Sequence, residues 1–209
     1  MATLSLGVLV SGSGTNLQAI LDAVATGRLD AKVALVLSNK ADAFALVRAN
    51  QSGVPTRVLS HKSFSSREGF DEALVAALRE AEVEWVVLAG FMRVLTPVLL
   101  RAFPGRVLNI HPALLPAFPG VHAQAQALEY GVKVAGCTVH IVDEGVDTGP
   151  VVAQRAVPVK DDDSVETLTA RILDQEHALL VEVLALAAAG RIELVRREDG
   201  RARVRVRPA

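Results

Sequence analysis

The stretch "NIHP" places Asn109 and His111 two residues apart, so in an extended chain their side chains share a face. Pro112 biases His111 towards extended geometry and stiffens the exit that follows. A carboxamide donor beside an imidazole suits a developing oxyanion, and the imidazole can also move a proton. The blander alternative is an Asn capping a loop and a His packed at a strand end. Further on, "DEGVDTGP" (143–150) gathers Asp143, Glu144 and Asp147 in a loop held by Gly145, Gly149 and Pro150. Such a loop can present one carboxylate to an imidazole, orienting it and stabilising its charged form. Asp143 and Glu144 read as a solvated acidic turn. His140, Asp143 and Asp147 have no recognised metal spacing, so no metal site is expected.

The stretch "VSGSGTN" (10–16) sets Gly12 and Gly14 between an apolar run and a helical period. A dinucleotide fingerprint needs a third glycine where Leu17 stands, and an acid at the end of the second strand. That strand ends in Ser38, Asn39 and Lys40, so NAD is not expected. No Gly-Lys-Ser/Thr follows either, which removes the P-loop. What remains is Gly14, Thr15 and Asn16 at the positive end of a helix, which suits one phosphate monoester. The other reading is a tight glycine turn with Thr15 or Asn16 as N-cap. Glu176 falls on the inward stripe of a long helix with Leu168, Ile172, Leu179, Val183 and Leu186. A carboxylate facing inward is costly unless paired or turned to a site, so Glu176 is a candidate for holding an amine or hydroxyls, with helix-end exposure as the alternative. "AGFMRVL" (89–95) could wall a flat aromatic ligand, with Arg93 near a carboxylate, or be an ordinary strand-to-helix turn.

These residues need a scaffold. Continuous apolar runs at 4–10, 32–38, 55–59, 85–90 and 106–110 predict strands buried on both faces of a parallel sheet. Leu17, Ile20, Leu21 and Val24 form one helical stripe between them, and Phe70, Leu74, Leu78 and Ala81 another. Alternation of strand and helix predicts an α/β, doubly wound fold. Two long strands at 132–142 and 149–159 have no helix between them and are expected to pair antiparallel. A long helix then opens at Asp163, with Glu166 as a capping-box partner, and closes at Gly190. The tail turns near Asp199-Gly200 as a hairpin, with Arg201, Arg203, Arg205 and Arg207 outward on an edge strand. One domain over 1–190, carrying a hairpin-like tail at 191–209, is the expected organisation.

Composition narrows the class. The chain has 209 residues, 51% hydrophobic and 22% charged, with a net charge of −1, as in ordinary soluble domains. No global field recruits nucleic acid or an anionic membrane. Cys137 is the only cysteine, which excludes an intrachain disulfide or a thiolate cluster. The N-terminus lacks the basic segment and cleavage site of a signal peptide, so none is expected. The stretch "LLVEVLALAAAG", which contains Glu182, is too short to span a bilayer. The expectation is a cytoplasmic protein, monomer or homodimer, acting on small molecules.

Taken together, "VSGSGTNLQAI", "SNKADAFAL", "VVLAGFMRVL", "LNIHPALLP", "DEGVDTGPVV" and "TARILDQEH" stand in the order that resembles the phosphoribosylglycinamide formyltransferase family, over nearly the whole chain. The resemblance implies the formyltransferase fold, a mostly parallel sheet with an antiparallel strand after the active-site loop. It also implies transfer of a formyl group from the cosubstrate 10-formyltetrahydrofolate to the amine of glycinamide ribonucleotide, in de novo purine biosynthesis, without metal. By motif it makes Asn109, His111 and Asp147 the catalytic set, Gly14, Thr15 and Asn16 the phosphate loop, and Glu176 a substrate-holding residue. Leu88, Met92, Arg93, Val94, Leu95 and the 142–147 loop with Val142 and Val146 match the folate pocket. Arg67 in "SSREGF" matches a basic residue near the folate's glutamate tail. One departure is Gln124, where many members carry a second histidine two residues after His122.

Three rivals share parts of this pattern. Formyl transfer to methionyl-tRNA uses a related core but needs a further C-terminal domain and more positive charge. A formyltetrahydrofolate hydrolase would put water in place of the amine, usually with an added N-terminal domain. A non-catalytic phosphate-ligand binding protein would make Asn109, His111 and Asp147 a coincidence.

Overall fold

The structure is a computed structural model that describes residues 3–196, 198 and 200–208. Its elements alternate as β1 (Leu4–Val10), α1 (Thr15–Ala25), β2 (Ala31–Ser38), α2 (Phe44–Gln51), β3 (Thr56–Val58), α3 (Arg67–Glu80), β4 (Trp85–Leu88), α4 (Pro97–Ala102) and β5 (Val107–His111). After these come α5 (Ala123–Tyr130), β6 (Val134–Ile141), β7 (Val151–Pro158), α6 (Val165–Ala188), β8 (Ile192–Arg196) and β9 (Ala202–Val206). Seven strands run in the order β3-β2-β1-β4-β5-β6-β7, and β8 and β9 form a separate pair. β1 is parallel to β2 and β4, β2 to β3, and β4 to β5, whereas β6 and β7 are antiparallel. This is the α/β, mostly parallel architecture expected, but the run at 55–59 gives only the three-residue edge strand β3, which is half-buried to exposed and not covered on both faces. The chain divides into two compact units, Met1–Asn109 and Ile110–Ala209.

In the first unit every residue of β1 is buried, as a strand covered on both faces requires. α1 buries Leu17, Ile20 and Leu21, and α3 buries Phe70, Leu74 and Leu78. Each such side chain contributes about 1.5–3 kcal/mol on burial. Gly7 interrupts the apolar run of β1 because a Cβ there would lie 2.4 Å from Leu78 Cδ2. Ser66 caps α3 by accepting the Gly69 N–H at 3.0 Å. Strand order reverses between β1 and β4, so the loops leaving these two strands flank the point where open α/β sheets bind ligands.

In the second unit β6 is buried along nearly its whole length, while only Val157 of β7 is buried. The cap of α6 differs from expectation by one residue. Ser164, not Asp163, is the N-cap, in a capping box with Thr167. Asp163 takes both nitrogens of the Arg171 fork at 2.7 Å, and that bidentate attraction removes it from the capping role. Gly190 follows the helix at φ 61°, the left-handed turn expected at that end. α5 is an element the sequence reading did not foresee. Its segment "AQAQALEY" buries only Ala123 and Ala127 and so has no recognisable apolar stripe. β8 and β9 pair as the expected hairpin, with Arg201, Arg203, Arg205 and Arg207 exposed; Asp199 of its turn lies outside the described residues. Among the described residues no helix is long and apolar enough to cross a membrane.

Candidate active site

β5 carries Asn109 and His111 at alternate positions, so both side chains leave the same face of the strand. Asn109 is half-buried and His111 is buried. His111 Nε2 lies 2.8 Å from the Phe118 carbonyl oxygen, and Nδ1 lies 3.4 Å from Asp147 Oδ2. Both partners are acceptors only, so Nε2–H donates to Phe118, and a proton on Nδ1 turns the Asp147 contact into an ion pair. The imidazolium is the form that satisfies both ring nitrogens.

Asp147 sits at φ 54°, in left-handed backbone that side-chain-bearing residues seldom adopt. The surrounding loop enforces that posture. Gly120 N–H donates to Asp147 Oδ2 at 2.7 Å, and His140 Nε2 lies 3.6 Å from Oδ1. Asp143 ties the loop by accepting from Gly145 N–H at 3.2 Å and Thr148 Oγ1–H at 2.7 Å; it and Glu144 are exposed, as the solvated-turn reading expected. Gly149 cannot be larger, since a Cβ there would stand 1.8 Å from the Ile141 carbonyl oxygen. Burial pushes the Asp147 carboxyl up, but the His140 hydrogen bond, the Gly120 N–H and the charges of His111 and His140 outweigh it. Its pKa is held below the usual aspartate value.

His140 was not anticipated in this role. It is 2% exposed, and its Nδ1 lies 3.2 Å from the Ile141 carbonyl oxygen. The strand pattern alone marks it as an inward residue of β6, with nothing to indicate Asp147 as its partner. Glu176 is buried on α6, on the face that also buries Leu168, Ile172, Leu179 and Val183, as expected. Cys137 is pushed up to about 12, first by burial and then by the charge of Glu176, so the thiol stays protonated and unreactive.

The glycine loop belongs to the first unit. Gly14 is the N-cap of α1, at φ 72° and ψ 30°, with no side-chain cap. Thr15 and Asn16 therefore lie inside the first turn rather than capping it, and their N–H groups belong to the helix's positive end. A Cβ on Gly14 would stand 2.5 Å from Ala45 Cβ and 2.7 Å from its Cα, so glycine is required by both backbone angle and packing. Ser11 Oγ donates to Asn39 Oδ1 at 2.7 Å and accepts the Met92 N–H at 2.9 Å. Thus Ser11 links the loops that leave β1, β2 and β4, and Asn39, standing where a dinucleotide site would have its acid, is its partner after β2. Neither Ser11 nor Asn39 was singled out as a site residue; only the side-chain contacts reveal the junction.

The 89–96 loop is pinned at two further points. Arg67 Nη2 donates to the Val94 carbonyl oxygen at 3.0 Å. Asp71 accepts from Thr96 N–H at 2.6 Å and Thr96 Oγ1–H at 2.8 Å. Met92 and Val94 are 65% and 50% exposed, while Leu88 and Leu95 are buried. Arg93 is half-buried, and its Nε has no hydrogen-bond partner among the described residues. In the other unit Val142 is half-buried and Val146 exposed. Replacing Ser11 by Ala leaves Asn39 Oδ1 and the Met92 N–H without their shared partner. The expected result is a loss of about 1–3 kcal/mol of stability, measured by denaturant unfolding of the two proteins.

The formyl transferase family profile matches residues 5–184. The chain is 47% identical over 187 residues to phosphoribosylglycinamide formyltransferase of Escherichia coli (strain K12), covering 90% of this chain and 88% of the relative. It is 50% identical over 190 residues to the trifunctional purine biosynthetic protein adenosine-3 of Drosophila pseudoobscura pseudoobscura, but spans only 14% of that protein's length. Among solved structures, glycinamide ribonucleotide transformylase 1 of Symbiobacterium toebii superposes with a TM-score of 0.94 at 51% identity, covering 99% of this chain and 95% of that one.

Proposed function

The chain belongs to the formyl transferase family, and from that premise we propose that it transfers the formyl group of 10-formyltetrahydrofolate to the amine of glycinamide ribonucleotide, a step of de novo purine biosynthesis. The observation that carries the reading is the buried His111–Asp147 pair at the end of the strand that also bears Asn109. The neutral amine attacks the formyl carbon, and the carbonyl oxygen becomes an oxyanion. Asn109 donates a hydrogen bond to it, and His111 turns its Nε2–H from the Phe118 carbonyl to it, a stabilisation that operates best in a site prepared before the reaction. Asp147 holds the imidazolium by charge and orientation. The new bond joins the glycinamide nitrogen to the formyl carbon, and the bond to the folate's N10 breaks. The proton lost by the amine reaches N10 with help from Asp147 through water. No covalent enzyme intermediate is needed.

In this reading Gly14, Thr15 and Asn16 hold the substrate phosphate and Glu176 binds the glycinamide ribonucleotide. Met92, Arg93, Val94, Leu88, Leu95, Val142 and Val146 wall the folate, with Arg67 near its glutamate tail. Small molecules are the only substrates, the compartment is the cytoplasm, and the chain acts as a monomer or homodimer. The test is the fate of the formyl group when purified protein receives 10-formyltetrahydrofolate with and without glycinamide ribonucleotide. Formylated nucleotide that appears only with the amine substrate supports the proposal. Formate released at the same rate without it would make the chain a hydrolase, and binding with no turnover would make it a ligand-binding protein.

A further inference from the structure

A backbone loop that grips an anion must point its N–H groups at the ligand and hold its carbonyl oxygens elsewhere. The glycine loop shows how each of three successive carbonyls is held. Gly12 O accepts the Ala45 N–H at 3.0 Å, and Gly14 O accepts the Gln18 N–H at 2.9 Å. Ser13 O accepts the Arg48 Nε–H at 2.9 Å. Of these three donors Arg48 alone is a side chain, and it is charged. Its guanidinium is fixed on two further sides. Nη1 donates to Gln18 Oε1 at 3.2 Å, and the guanidinium carbon sits 5.0 Å from the centroid of the Phe44 ring. Gln18 is itself oriented by donating to Asp22 Oδ1 at 2.8 Å. Phe44 is 53% exposed, an outlay of apolar surface that its stacking on Arg48 explains.

We propose that Arg48 is a positioning residue for the substrate phosphate: it pins the Ser13 carbonyl away from the ligand and so presents the Gly14–Asn16 backbone to it. The inference rests on the reading of that loop as the phosphate site. It differs from a general role in packing α2 on α1, because its effect is confined to the phosphate. A lysine keeps the positive charge but lacks the Nε–H and the planar fork that reaches Ser13 and Gln18 together, so charge alone does not replace it.

The experiment compares kcat/KM for glycinamide ribonucleotide and for its dephosphorylated form, glycinamide riboside, in the unsubstituted enzyme, Arg48→Ala and Arg48→Lys. Circular dichroism and thermal melting check that each is folded. Arg48→Ala is expected to lose about tenfold on the nucleotide, through KM, with kcat and the folate KM within twofold, and to match the unsubstituted enzyme on the riboside. Arg48→Lys should recover less than a third of the loss; it takes over the comparison if the alanine variant does not fold. An equal loss on both substrates, no loss on either, or full recovery by lysine overturns the proposal. If the unsubstituted enzyme itself uses nucleotide and riboside equally well, the phosphate-loop reading fails instead.

Discussion

Asp147→Asn is expected to lower kcat for formyl transfer by about 10²–10³-fold, with the protein still folded and both KM values within a few-fold. The two side chains have nearly the same shape, so the 143–149 loop can keep its course. The hydrogen-bonding inventory changes, however. In the aspartate, Oδ2 receives the Gly120 N–H and faces His111, while Oδ1 faces His140. A carboxamide has one acceptor atom and one donor group, so one side of this arrangement must meet an NH₂ group. The larger loss is orientation. Without a carboxylate 3.4 Å from Nδ1, His111 loses the partner that fixes the orientation of its ring. A ring that is no longer held in place is a poorer oxyanion donor. Steady-state kinetics with a melting curve make the measurement, and retention of even a tenth of the turnover by folded protein would contradict the assignment.

The same substitution has a pH signature. Because the Asp147 pKa is lowered in the folded protein, its ionised form favours the native state. That contribution is complete above the usual aspartate range and is lost as pH falls through the lowered folded value. The unsubstituted protein should therefore lose stability in acid more steeply than Asp147→Asn, which has no carboxylate to protonate there. Melting temperatures of the two proteins across the acid range give the comparison.

Asn109→Ala is expected to cost about 10²–10³-fold in kcat as well, the usual effect of removing one oxyanion donor, in protein that a melting curve shows to be folded. The residue is half-buried at the middle of a five-residue strand whose neighbours Leu108 and Ile110 bury their side chains on the other face. Truncation removes the carboxamide without opening the apolar core. The donor acts mainly once charge builds on the formyl oxygen, so KM should move by no more than a few-fold. A large KM effect with kcat preserved would make Asn109 a ground-state binding residue. Asn109 and His111 address one oxyanion in this mechanism, so the double variant should lose much less than the product of the single losses.

Much of the scaffold could be read before any coordinate was known. The runs at 4–10 and 32–38 read as interior strands, because a largely apolar run of that length is removed from water when both faces of the sheet are covered. The stripe through Leu168, Ile172 and Leu179 likewise carried Glu176 inward. Local periodicity works there because burial follows the repeat of the element itself. It was silent on α5, whose two buried alanines leave no stripe. At α6 it chose the wrong cap, because the Arg171 that claims Asp163 lies eight residues further on.

The chain order therefore decided which residue types stood at the strand ends: a carboxamide and an imidazole on one face of β5, a carboxylate in a glycine-bound loop, and two glycines before α1. Local chemistry sufficed for these, since strand alternation and turn preferences act over a few residues. Tertiary structure alone decided which groups complete them. His140 and Gly120 converge on Asp147 from separate segments, Phe118 takes the far nitrogen of His111, and Ser11 bonds both Asn39 and, 81 residues along the chain, Met92. Those partnerships depend on how strands are ordered in the sheet and where loops return. Hydrophobic pattern says which side of an element is covered, not which distant side chain it will meet.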